Sequence, residues 1–309
     1  MIEAHKFGQE ITSGTEHTTA QRKILEIPPE HEIEKSAEFI EVFRLANEIS
    51  NLILEENSLP RQDFSEEQIR IVDSDYYRET HKEFPGSYGV YDAPYDAIVL
   101  SQEKIKDNGD LLHKILHEMI HAKSPSEVSE DGVEMQLGLA YRENKDDAYM
   151  MFGGINEAVI DDMVIKYLDK YKDLVFATSL FAKSDMSAKK PSFPLNIPRG
   201  HDFDDSQWLT GYGDKNVFGD SVGYSDARRG LSALITEIAA NAKEDPAANR
   251  SSIFSVFERA ELTGDISLIK NFVDEYLGDG FADWLALEAR GSNFNHFSII
   301  RKVGKFHND

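Results

Sequence analysis

Apolar residues recur at helical spacing in one long early stretch, where Ile33, Ala37, Ile40, Phe43, Ala46, Ile49 and Ile53 share a face between residues 33 and 56. Leu59-Pro60 ends that predicted helix. Three short runs then read as strands: Ile69 to Val72, Gly86 to Tyr91, and Tyr95 to Leu100, the last bounded by Pro94 and the polar Ser101-Gln102. Helical periodicity returns with Leu111, Leu112, Ile115, Leu116, Met119 and Ile120. Asn108-Gly109-Asp110 offers capping side chains before this helix, and Pro125 closes it. Another helix is predicted to begin just after Gly153-Gly154, on Ile155, Ala158, Val159, Met163, Val164, Tyr167 and Leu168. Four more amphipathic segments, 227–242, 253–262, 266–277 and 281–289, follow, the last three separated by Thr263-Gly264-Asp265 and Gly278-Asp279-Gly280.

Two stretches break this pattern. Residues 1–32 are polar, carry Pro28-Pro29 and show no periodicity, which reads as a flexible arm or a short prosegment. Residues 171–223 are a loop-rich insert interrupted by Pro191, Pro194 and Pro198, and their aromatics suit either a rim over a cleft or a surface excursion packed on itself. The order of elements predicts an α+β protein. A lobe over 33–124 carries the small sheet and its backing helix, and a mainly helical lobe covers 125–309. No fixed period recurs among the later helices, so a repeat array is set aside.

With 309 residues and 40% hydrophobic content the chain can bury a sizeable core. It has no cysteine, which excludes disulfides, thiolate metal sites and a cysteine nucleophile. Fifty-six acidic against 33 basic residues give a net charge of −23, spread through the helices as a solvated surface, and nucleic acid is an unfavourable partner. Met1-Ile2-Glu3-Ala4-His5-Lys6 lacks the apolar core of a signal peptide, and no segment approaches the roughly 18 apolar residues of a membrane span. The expectation is a cytoplasmic protein without a membrane partner.

The chemistry-bearing signal is His117-Glu118-Met119-Ile120-His121 on the third predicted helix. Residues four apart share a helix face, so both imidazoles can reach one ion while Glu118 stays available to handle a proton. Glu157 and Asp161, also four apart, lie on the next helix and offer a carboxylate and a second acid. His113 continues the line of His117, but a fourth protein ligand would close the open coordination position, so it reads as a surface or supporting residue. Asp162 reads as a helix-surface acid; Arg228 and Arg229 could reach a carboxylate, with solvation the commoner fate.

These residues resemble the gluzincin clan of zinc metallopeptidases, to which thermolysin-like enzymes belong. His117-Glu118-x-x-His121 followed by Asn156-Glu157-Ala158-x-x-Asp161 is similar to the clan's paired motifs, over a core from about 65 to 170. The resemblance implies a zincin-like fold, one catalytic Zn2+ held by His117, His121 and Glu157, and Asp161 holding the other ring nitrogen of His117 or His121. It also implies that the strand near Asp96 to Leu100 forms the cleft edge and pairs with an extended substrate. Peptide or protein substrates would be hydrolysed by metal-activated water with Glu118 as general base. For the oxyanion donor the resemblance favours Tyr224, in Gly223-Tyr224-Ser225-Asp226, over His201 and Tyr212, while Tyr149 reads as a core aromatic. The gap from His121 to Glu157 is longer than in thermolysin-like enzymes and the C-terminal part differs, which points to a compact branch of the clan. A zinc-binding regulatory or scaffold protein without turnover is the alternative, and the intact Glu118 argues against it. An aminopeptidase ranks lower, because the chain has no Gly-x-Met-x-Asn signature.

Overall fold

The computed structural model describes residues 25–82, 89–181, 225–242, 250–290 and 302. Helix α1 (Ala37–Glu56) starts four residues later than the periodicity suggests, because Ser36 caps it by accepting from Phe39 N and the Ile33 N–H donates instead to Ile71 O. The following segment forms β1 (Ile69–Val72), a short helix α2 (Ser74–Thr80) not foreseen from the sequence, β2 (Gly89–Asp92) and β3 (Ala97–Ser101). Asp73 nucleates α2 by accepting from Asp75 N and Tyr76 N.

The sheet order is β1-β3-β2, with β1 and β3 parallel and β2 antiparallel to β3. This corrects the expected cleft edge. The strand Ala97–Ser101 lies in the middle of the sheet and is buried along its whole length, while β2 is an edge strand and packs beside the motif helix. The alternation rule explains the difference: a run such as Ala97-Ile98-Val99-Leu100 with no polar face belongs between two neighbours.

The motif helix α3 (Asn108–Lys123) packs its apolar stripe on α1. Its cap is Asp107, which accepts from Asp110 N, and not a residue of the Asn108–Asp110 group. Two hairpin connections, β4 (Ser126–Val128), β5 (Glu134–Leu137) and β6 (Ala140–Tyr141), make a second small antiparallel sheet that the polar sequence gave no reason to expect. They account for the long spacing between His121 and Glu157.

Helix α4 (Gly153–Lys170) packs against α3 and is followed by α5 (Lys172–Ala177), which replaces with helix the first part of the expected 171–223 insert. Residues 182–223 of that insert, with His201 and Tyr212, lie outside the described residues, as does Tyr224 just beyond it. Helices α6 (Ser225–Asn241), α7 (Arg250–Thr263), α8 (Ile266–Leu277) and α9 (Phe281–Glu288) complete the helical part. One apolar core runs from Phe39 and Ile49 of α1 through Leu116 and Val159 to Phe257 and Leu285, so the two expected lobes share their interior. Of the expected arm 1–32, residues 25–32 are described and lie on the sheet: Ile27 is buried against Val72 and Tyr77, and Glu32 pairs with Arg70. Among the described residues no helix is long and apolar enough to cross a membrane.

Candidate metal centre

Helices α3 and α4 bring His117, His121 and Glu157 together, with one ligand atom from each lying within 4.8 Å of the others. His117 Nε2 is 3.2 Å from Glu157 Oε2 and His121 Nε2 is 3.5 Å from Glu157 Oε1. Both rings are buried. The third side of His117 is held from α4, where Asp161 Oδ1 accepts from His117 Nδ1 at 2.8 Å. Asp161 thus stands against His117 and not His121. The same oxygen lies 3.5 Å from His113 Nε2, so His113 buttresses the acid from one turn earlier on α3.

This arrangement fits a cation. With its Nδ1 proton given to Asp161, a neutral His117 turns a lone pair toward a carboxylate oxygen of Glu157, and two acceptors face each other at hydrogen-bond distance. Only a positive charge between them, a ring proton or a metal ion, makes that contact favourable. The electrostatics agree: burial resists charge on His117, but Asp161 and Glu157 outweigh it and raise its pKa well above the ordinary value. Burial likewise resists charge on Glu157, yet His121 and His117 hold its carboxyl far below the carboxylate range. A donor set of two imidazoles and one carboxylate with no sulfur is the set that suits a catalytic divalent metal.

Glu118 is buried on the same helix, and its Oε2 accepts from the Tyr91 N–H of the edge strand at 2.8 Å. Burial pushes its carboxyl up, against the pull of His117 and His121. Strand β2 comes close enough for this bond because residue 89 is glycine. A Cβ there would meet Leu100 Cδ2 at 2.6 Å and Glu118 Oε1 at 3.4 Å. No pattern in the sequence marks Gly89 or the Tyr91 amide as partners of Glu118, because the contact spans an element boundary.

Other expectations change. Asp162 is buried, not a surface acid, and takes Arg228 Nε at 2.6 Å; Arg228 is buried with it. Two charges this deep persist because each satisfies the other. Tyr149 is 64% exposed and no core aromatic, since it sits in the loop before α4 instead of on a packed face. Tyr224 precedes α6 and lies outside the described residues.

Fold and site together define an α+β protein in which two buried histidines and a half-buried glutamate form a group that could hold a metal ion. Compared with known proteins, the chain matches no family model, no curated protein and no solved structure.

Proposed function

We propose that this protein is a zinc-dependent peptidase of zincin-like fold, similar to gluzincins, acting on peptide or protein substrates. The observation that carries the reading is the convergence of His117, His121 and Glu157 from two helices with the Glu118 carboxyl buried beside them. His117 and His121 would bind Zn2+ through Nε2 and Glu157 through its carboxylate, with Asp161 keeping the His117 ring in the Nδ1–H tautomer. Bound there, zinc supplies Lewis acidity that polarises a scissile carbonyl and makes water a nucleophile near neutral pH.

Glu118 is then the proton carrier. The Tyr91 amide anchors Oε2, so Oε1 is the atom that takes the water proton and returns it to the leaving amine. Its raised proton affinity, caused by burial, suits a group that must both accept and release a proton. Tyr224 is the proposed donor to the negative charge developing on the carbonyl oxygen. A reading as a zinc protein without turnover leaves the buried Glu118 without a chemical task.

The test compares the parent with Glu118→Ala by elemental analysis for metal and by digestion of an unbiased peptide library. Stoichiometric zinc in both with cleavage only by the parent is expected. Zinc in both with cleavage by neither would favour the non-catalytic protein, and no retained metal in either would remove the ligand assignment.

A further inference from the structure

His113 stands one turn before His117 on α3, and residues four apart share a helix face. Its Nε2 lies 3.5 Å from Asp161 Oδ1, the oxygen that accepts from His117 Nδ1 at 2.8 Å. One carboxylate oxygen is thus flanked by imidazoles from two successive turns of the same helix. Both partners of this outer contact lie in the interior, the His113 side chain 12% exposed and that of Asp161 3%. The other carboxylate oxygen, Asp161 Oδ2, is buried and has no hydrogen-bond partner among the described residues.

A carboxylate this deep needs more than one hydrogen bond to stay in place, and with Oδ2 orphaned the second bond must fall on Oδ1. That oxygen has two acceptor lone pairs, one of which serves His117. Among the described residues the nitrogens within ion-pair distance of Asp161 are those of His117 and His113. Held by His117 alone, the carboxylate could pivot about Oδ1 and the imidazole with it. A donor on the second lone pair fixes both.

We propose that His113 is a positioning residue of the metal centre: its Nε2–H donates to Asp161 Oδ1 and locks the carboxylate in the place from which it holds the His117 ring in the Nδ1–H tautomer. The motif helix then supplies a ligand and, one turn earlier, the clamp on the acid that orients that ligand. His113 acts on the metal only through Asp161, so the effect of losing it depends on the acid being present.

The consequence for affinity rests on the zinc reading above; the hydrogen bond itself does not. The experiment titrates zinc against a chromophoric chelator in the full chain and in His113→Phe, His113→Gln, Asp161→Ala and the double variant His113→Phe with Asp161→Ala, with thermal melts of the metal-free proteins as controls. Phenylalanine keeps a ring and removes the N–H, while glutamine keeps a donor near the Nε2 position. Zinc binding weakened about tenfold in His113→Phe is expected, with His113→Gln close to the parent. The double variant should bind no more weakly than Asp161→Ala alone. Equal affinity in His113→Phe overturns the proposal. So does a double variant in which the two losses add, because a purely structural role would weaken both backgrounds alike. Long-range 1H–15N spectra of ring-labelled histidines supply the second readout, with His113 assigned from His113→Gln. A hydrogen-bonded proton on His113 Nε2 is expected in the parent; a ring protonated only at Nδ1 overturns the proposal even if His113→Phe fails to fold. If the parent takes up no zinc, the metal reading fails, and the same spectrum of the metal-free protein still decides the contact between His113 and Asp161.

Discussion

The residue-level determinants of the centre differ in what their loss should do. Asp161→Ala leaves the three ligands in place but frees the His117 ring, so zinc affinity should fall by about 10- to 100-fold, measured by chelator competition. Gly89→Ala should do the opposite: its Cβ would press on Leu100 and Glu118 and touch no ligand, so peptide turnover should drop while zinc binding stays as in the parent. A variant that lost both together would show that β2 supports the ligands as well as the base. Tyr224→Phe should lower kcat by about a hundredfold with KM little changed, the size expected for one oxyanion donor. Full activity in that variant would return the role to another side chain.

Lys123 ends α3 in a pocket of α1, donating to Asn47 O, Asn47 Oδ1, Ser50 Oγ and Asn51 Oδ1. Burial lowers its pKa to about 7. Because the unfolded chain holds this proton up to the ordinary lysine range, the unfolded state binds more protons between about pH 7 and that range, and stability rises with pH across the window. The contribution is lost as pH falls through about 7. Denaturant midpoints of the parent and Lys123→Met between pH 6 and about 10 should therefore diverge in slope, the parent gaining stability toward the alkaline end relative to the variant. Parallel profiles would mean that the four oxygens hold the ammonium charged throughout.

At the scale of elements, what was legible depended on whether the determinant was local. The helical stripes of α1, α3 and α4 and the strand character of β1 and β3 follow from side-chain periodicity, and the structure contains them within a few residues. The start of α4, read just after Gly153-Gly154, falls within two residues of its observed place, but what satisfies its first amides is not local. Phe152 precedes it in left-handed backbone with φ 57° and no side-chain cap, and its first amides are satisfied from afar, Phe152 N by Ala286 O at 3.1 Å and Gly154 N by Ala289 O at 2.7 Å. The carbonyl end of α9 thereby caps the helix that carries Glu157. The hairpins of β4 to β6 were illegible for a related reason: their strands are short and polar, and they exist because Gln136 and Leu139 bond to Gly264, Asn156 and Glu261 from distant segments.

The ion pair between α4 and α6 belongs to the same scale. Arg228→Met would strand the Asp162 carboxylate in the interior, with an expected loss of about 3–5 kcal/mol measured by chemical denaturation. Replacing Asp162 by leucine in the same chain should recover the part of the loss that comes from the stranded carboxylate. If the double variant is no better than the single one, the guanidinium has a further partner that the pair does not explain.

Over the whole molecule, one continuous core runs from α1 to α9 through the sheet-bearing and helical parts, and they are expected to unfold together. Far-UV circular dichroism, tryptophan fluorescence and release of bound zinc should follow one denaturation curve. Two separated transitions would support the two-lobe boundary expected near residue 124. The share of the candidate site visible before folding was large: His117, Glu118, His121, Glu157 and Asp161 stand at helical spacing within two segments, and the structure brings all five to one place.

Sequence by itself determined the α+β character, the long helices and the five side chains that meet, because periodicity and i, i+4 spacing act within one element and need no knowledge of its neighbours. Tertiary structure alone decided that β2 is an edge strand and β3 is not, that Gly89 and the Tyr91 amide hold Glu118, and that Asp161 serves His117. Each of these is a contact between elements, set by which faces are buried together, and burial is a property of the assembled core that no local pattern encodes.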